Sequence, residues 1–144
     1  MHSVPTPKQL LGAVIKAITE ADGAAALALL KQNKQMLQSN REEISNVRAS
    51  VLYYAIQYSC VGLVTFTLNM APVPDINFYR MYGSTLIGLA IEKNAEALPL
   101  LYAKADRSLA LHAAVKSKQK KVVSALLDRF HFSNRLLTYL GLKA

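Results

Sequence analysis

Few residues in this chain are of types that do chemistry, and His112 is the most conspicuous. It sits in Leu109-Ala-Leu-His-Ala-Ala-Val115 and is followed by Lys116, Lys118, Lys120 and Lys121. A histidine ring can serve near neutral pH as a general base, a proton shuttle or a metal ligand. Each role needs company: a nucleophile and an orienting group within reach, or further ligands at metal-binding spacing. His2 is terminal, His131 follows the last repeated pattern, and Cys60 is the single cysteine. Glu42-Glu43 is the only adjacent acidic pair and is expected in a loop between helical segments. No glycine-rich phosphate loop is present in the sequence. These residues therefore point away from an enzyme, with no catalytic, cofactor-binding or metal-ligating residue and no cofactor expected.

The elements that carry His112 have to be found in the rest of the chain. At 144 residues, 52% apolar and 18% charged, the composition is that of one globular domain with a real core. A lone cysteine builds no disulfide framework, which favours a reducing, cytoplasmic setting. The opening residues lack a basic segment leading into an apolar run, so no signal peptide is expected. Ala49 to Pro74 carries no charge, and Val51 to Met70 approaches bilayer-spanning length. Gln57, Ser59, Thr65, Thr67 and Asn69 are spread through that stretch, Gly62 interrupts it, and its tyrosines lie mid-segment rather than at an interface; no membrane association is expected. The net charge of +8 is concentrated late, with nine basic and two acidic residues in 104–144. Such a skew fits an anionic partner.

Internal similarity organises the chain into four segments. They are "GAVIKAITEADGAAALALLKQN", "SVLYYAIQYSCVGLVTFTLNM", "TLIGLAIEKNAEALPLLYAKAD" and "LALHAAVKSKQKKVVSALLDRF". Each centres a first apolar pattern on a small residue (Ala17, Ala55, Ala90, Ala114), breaks at polar residues, then resumes. In the last copy Leu111, Ala114 and Val115 follow helical spacing, as do Val122, Val123, Leu126 and Leu127. Each copy is thus expected to be a pair of short helices needing stacked neighbours for stability. Thr6-Pro7-Lys8-Gln9 reads as a capped helix start, and Ser133 as the N-cap of a final helix bearing Leu136, Leu137 and Leu140.

Leu111-His112-Ala113-Ala114-Val115 resembles the L-H-x-A-A core of the ankyrin T-P-L-H-x-A-A motif, and Val122-Val123-Ser124-Ala125-Leu126-Leu127 its second helix. Asp75-Ile76-Asn77 resembles the D-V-N closing such a repeat, and Gly83-Ser84-Thr85 the G-x-T opening the next. The likeness covers about residues 8–130. It implies an all-α, ankyrin-like solenoid in one domain, 1–144, with repeats at about 7–38, 47–77, 83–106 and 107–130. A C-terminal cap, or the first helix of a truncated fifth repeat, follows at 133–142. The pattern departs in several places. The anchor alanines lie 38, 35 and 24 residues apart against an ankyrin period of about 33. Ser59, Asn94 and Lys118 replace the turn glycine, and only Ala105-Asp106-Arg107-Ser108 is expected between the helices at the last junction, too short for a projecting hairpin. In the family the motif histidine turns inward and braces loops through hydrogen bonds. His112 is accordingly expected to be architectural, with Ile15, Tyr53 and Gly88 at the corresponding positions.

The resemblance further implies binding through a concave groove formed by projecting fingers and exposed ends of first helices. Here the finger is Phe78-Tyr79-Arg80-Met81-Tyr82, rich in residue types that interface centres favour. Tyr58 and Lys93 are expected beside it, and Lys116, Lys118, Lys120 and Lys121 form a second candidate surface. The implied function is a non-enzymatic protein–protein interaction module, monomeric by default, whose partner is another protein with an acidic surface. Alternatives are binding of nucleic acid or another anionic surface by the basic last third, and an accessory domain recruiting substrate to catalysis done elsewhere. The irregular repeats also resemble those of bacterial effectors delivered into host cells, which implies a host-protein target.

Overall fold

The computed structural model describes residues 4–70, 80–81, 84–93, 98–104, 106–116 and 118–142. It is all-α apart from one two-residue β-pair, and the chain divides into two compact units, Met1–Asp75 and Ile76–Ala144. The first unit holds α1 (Pro7–Thr19), α2 (Gly23–Gln32), a single turn α3 (Lys34–Leu37), α4 (Glu42–Gln57) and α5 (Val61–Leu68). The second holds β1 (Arg80–Met81), β2 (Ser84–Thr85), α6 (Leu86–Glu92), α7 (Leu98–Lys104), α8 (Arg107–Lys116), α9 (Lys120–Arg129) and α10 (Asn134–Tyr139).

Local chemistry starts these helices where the sequence reading expects. The Thr6 hydroxyl accepts the Gln9 N–H at 3.1 Å while the Gln9 side chain accepts the Thr6 N–H at 2.9 Å, a reciprocal cap with Pro7 in the first turn. Ser133 caps α10 by accepting the Leu136 N–H at 3.2 Å. The Thr85 hydroxyl accepts the Gly88 N–H at 3.0 Å and is itself buried, so it both ends the β-pair and begins α6. Val51 to Met70 is two helices broken at residues 58–60, and no helix among the described residues is long and apolar enough to cross a membrane.

One backbone motif recurs at the breaks of three copies. Ala21, Ser59 and Lys118 have φ of 60°, 59° and 58°, the only non-glycine residues with positive φ among those described. Each follows an anchor alanine by four positions, and the next residue closes a six-to-one hydrogen bond onto that alanine. Asp22 N–H donates to the Ala17 carbonyl at 2.8 Å, Cys60 to Ala55 at 2.7 Å and Gln119 to Ala114 at 3.0 Å. These bonds, with the inner Ala21–Ile18, Ser59–Ile56 and Lys118–Val115 bonds, make three Schellman caps. The donors then open the second helices from nearly the same conformation: φ/ψ is −110°/71° at Asp22, −92°/76° at Cys60 and −89°/81° at Gln119. One helix–turn–helix unit is therefore used at least three times. Asn94 holds the corresponding place in the third copy and lies outside the described residues.

Packing follows the same plan. Ala17 is 8% exposed, Ala55 and Ala90 are fully buried, and Ala114 is 1% exposed. In the first unit α1 packs on α4 and α2 on α5, first helix on first and second on second, while each also packs on its own pair mate. Helix α4 is the centre of this unit: every residue from Val47 to Tyr53 is buried between α1, α3 and α5, as expected of a helix covered on all sides. In the second unit α6 contacts α7 and α9, and α8 contacts α9. Close approach here depends on Gly88. A Cβ built on it would stand 3.0 Å from Thr85 Oγ1 and 3.2 Å from Gln119 Nε2, so the Gln119 amide occupies space that any larger residue would need.

Two expectations are corrected. Glu42 and Glu43 lie in the first turn of α4 rather than in a loop, where their charge suits the helix dipole. Val122 and Leu126 are buried as the helical pattern requires, but Val123 is half-buried and Leu127 is 37% exposed. A run of two adjacent apolar pairs covers more than one face of a helix, and only half of it belongs to the core.

Candidate functional site

His112 lies on α8, half-buried, with its ring centroid 6.3 Å from that of Tyr139 on α10 and the planes tilted by 52°. No hydrogen bond to the ring is made by the described residues. The expected loop-bracing hydrogen bonds are thus replaced by ring packing against the final helix. That helix buries no side chain fully, and Tyr139 itself is 76% exposed, so the ring contact lies at the surface. No group of three or more His, Cys, Asp or Glu residues that could hold a metal ion occurs among the described residues.

Cys60 forms the N-terminal boundary of α5, at the expected break between helices, and its sulfur lies 3.7 Å from the Tyr58 carbonyl. Partial burial pushes its thiol up from the ordinary value, opposite to the depressed value of a reactive nucleophile. Tyr102 is likewise pushed up by burial, an effect the nearby Arg129 charge opposes.

The residues expected to face a partner fall in different places. Arg80 and Met81 form β1 and pair antiparallel with β2, Arg80 opposite Thr85 and Met81 opposite Ser84, so the finger segment carries a β-pair. Phe78, Tyr79 and Tyr82 lie outside the described residues. Tyr58 is the C-cap of α4, 48% exposed, and Lys93 is the exposed C-cap of α6. Lys116 ends α8, Lys118 occupies the positive-φ turn, and Lys120 and Lys121 begin α9; all four are exposed. The structure thus brings these four lysines to one helix–helix turn.

Two clusters escape the sequence reading. Arg48 on α4 is only 2% exposed, and its guanidinium donates to the Leu37 carbonyl and, at 2.9 Å, to the Ser39 carbonyl. It caps the C-terminal end of α3 and ties that turn to α4, a favourable place for a cation. Burial without a carboxylate lowers its pKa. In the second unit Tyr102 and Phe130 meet edge to face at 4.9 Å, and Phe132 lies 6.4 Å from Phe130. Arg107 stacks 4.3 Å over Phe130, and Arg129 lies 5.8 Å from Tyr102. This cluster joins α7, the start of α8 and the end of α9, and such stacking adds about 0.5–1 kcal/mol per exposed cation–π pair.

No family model, curated protein or solved structure matches this chain.

Proposed function

We propose that the chain is a non-enzymatic protein-interaction module of ankyrin-like build. Support comes chiefly from the recurrence of one helix–turn–helix unit with the same left-handed turn at Ala21, Ser59 and Lys118. Stacked units of this kind bury their helices on one another and leave turns and connecting loops exposed, where they can be varied without disturbing the core. The exposed Tyr58 and Lys93 and the lysine turn are the surfaces on offer. Tyr79, Arg80, Met81 and Tyr82 suit a protein partner by type, since such residues dominate binding energy at interface centres. Nucleic acid is a weaker fit, because single-strand sites interleave cations with stacking aromatics and the run from Lys116 to Lys121 contains none.

Capture of partners by the full chain, with and without nuclease, tests this reading when the Tyr79→Ala/Tyr82→Ala double variant is run alongside the parent. Loop substitutions should leave stability within about 0.5 kcal/mol. The double variant should lose at least about 2 kcal/mol of affinity, roughly thirtyfold, for a captured protein. Capture abolished by nuclease, or unchanged in the tyrosine variant while four-lysine neutralisation removes it entirely, would replace the protein reading with the anionic-surface one.

A further inference from the structure

An open groove of about 410 Å³ runs along the outer face of α9, floored by Val115, Val123, Leu127 and Leu142 and rimmed at one end by Lys118 and Lys120. Ser124 completes the lining, and the described lining residues include no carboxylate. We infer that this groove docks a short acidic–hydrophobic helical segment of a partner protein, the partner's leucine- or phenylalanine-type side chains lying on the floor and its Asp or Glu side chains meeting Lys118 and Lys120. The inference rests on the protein-interaction reading and names the chemistry of the partner.

Charge supports it from a second direction. Lysines at the start of a helix face the positive end of its dipole, the reverse of the favourable arrangement. Yet α9 begins Lys120-Lys121, with Lys118 just ahead of its N-cap Gln119 and no side-chain cap. Among the described residues, Arg41 and Glu43 in the first unit form an ion pair, and none is seen to Lys118, Lys120 or Lys121. A local rule broken with no carboxylate partner among the described residues is a mark of function, and carboxylates supplied by a partner would reverse the sign of the interaction. The shape selects a peptide over an acyl chain. Pockets for small ligands enclose most of the ligand's surface, whereas Leu127 and Leu142 remain 37% and 36% exposed. From Lys120 to Leu127 the floor is about 10 Å long at helical rise, the span of two turns of a docked helix.

The test uses the full-length ¹⁵N-labelled protein and three probes. These are a set of short helical peptides with paired leucines flanked by glutamates, the same peptides with lysine in place of glutamate, and phosphatidylcholine vesicles with and without phosphatidylserine. Acidic peptides should bind saturably, with amide shifts confined to 115–127 and Leu142, and the lysine counterparts should not bind. Leu127→Glu, at an already exposed position, should weaken binding at least about thirtyfold with an unchanged melting temperature. Leu142→Glu, in the tail beyond α10, should do the same should the first variant lose its fold. The double charge reversal Lys118→Glu/Lys120→Glu should slow association and flatten its salt dependence. Absence of groove shifts with every acidic peptide, binding indifferent to both leucine variants, or leucine-dependent binding to phosphatidylserine vesicles alone would each overturn the inference. Tyr79→Ala/Tyr82→Ala serves as the separating arm. Loss of partner capture in that variant alongside a silent groove leaves the interaction reading standing and sinks only this one.

Discussion

Replacing Ala114 with lysine should unfold the second unit, while the same replacement at Ala28 should do almost nothing. Both alanines lie in helices, but Ala114 is 1% exposed and Ala28 is on the open face of α2. Ala114 also supplies the carbonyl that the Gln119 N–H reaches at 3.0 Å, so a displaced backbone there opens the α8–α9 turn as well. Forcing three further methylenes into a packed site costs about 1–3 kcal/mol. Burying the ammonium adds several kcal/mol more, for a sum of at least about 4 kcal/mol against a typical total of about 5–15 kcal/mol. Lysine is nearly as good a helix former as alanine, so intrinsic propensity contributes only tenths of a kcal/mol at either site. Urea denaturation followed by circular dichroism gives both values, and Ala114→Gly, which removes a methyl group, should fall between them at about 1 kcal/mol. An Ala114→Lys protein as stable and as helical as Ala28→Lys would refute the placement of the anchor alanines and with it the alignment of the copies.

At the turns, Ala21→Gly and Ser59→Gly should each stabilise by about 0.5–1 kcal/mol, because the left-handed conformation penalises a side chain by about 1–2 kcal/mol and glycine returns part of that as entropy. Gly141→Ala, at φ 74° in the α10 cap, should carry the opposite sign and loosen the last helix; paired thermal melts check all three. Arg48→Ala should lose about 2–4 kcal/mol, since it leaves the Leu37 and Ser39 carbonyls without their donor and opens a cavity under α3. A change within about 0.5 kcal/mol in chemical denaturation would show that Arg48 is not buried as described. His112→Ala should cost no more than about 0.5 kcal/mol through the Tyr139 contact, since Tyr139 is 76% exposed, with partner capture intact. A variant of full stability that no longer binds would make His112 part of a site.

Much of the helical organisation is legible from sequence because its signals are local. Thr6 with Gln9, Ser133 before its leucines, and an alanine four residues before a polar break each act within one turn of helix. The substitution of Ser59 and Lys118 for a turn glycine was visible as well, and both adopt the conformation glycine would have taken. What escaped depends on tertiary partners. Arg48 carried a faint signal, lying four residues from both buried Ile44 and buried Leu52, but arginine is read as exposed until a partner is seen. Its partners are the Leu37 carbonyl ending α3 and the Ser39 carbonyl just beyond it, at a single turn too short for periodicity to reveal. Tyr102 and Phe130 meet across 28 positions with nothing nearby in sequence to announce it. The groove on α9 was hidden for another reason: Val122, Val123, Leu126 and Leu127 look alike in one dimension, and only the packing of α6 and α8 on one side of the helix divides them into core and surface.

Because the interaction reading rests on a recurring unit, the backbone at its turns is the place to measure. Intraresidue amide-to-Hα couplings and nuclear Overhauser effects in the full-length protein report the sign of φ directly. Positive φ at Ala21, Ser59 and Lys118, with slowly exchanging amides at Asp22, Cys60 and Gln119 from their bonds to the anchor alanines, is the expected result. Negative φ at these three residues, with fast exchange at the three amides that follow them, would contradict it.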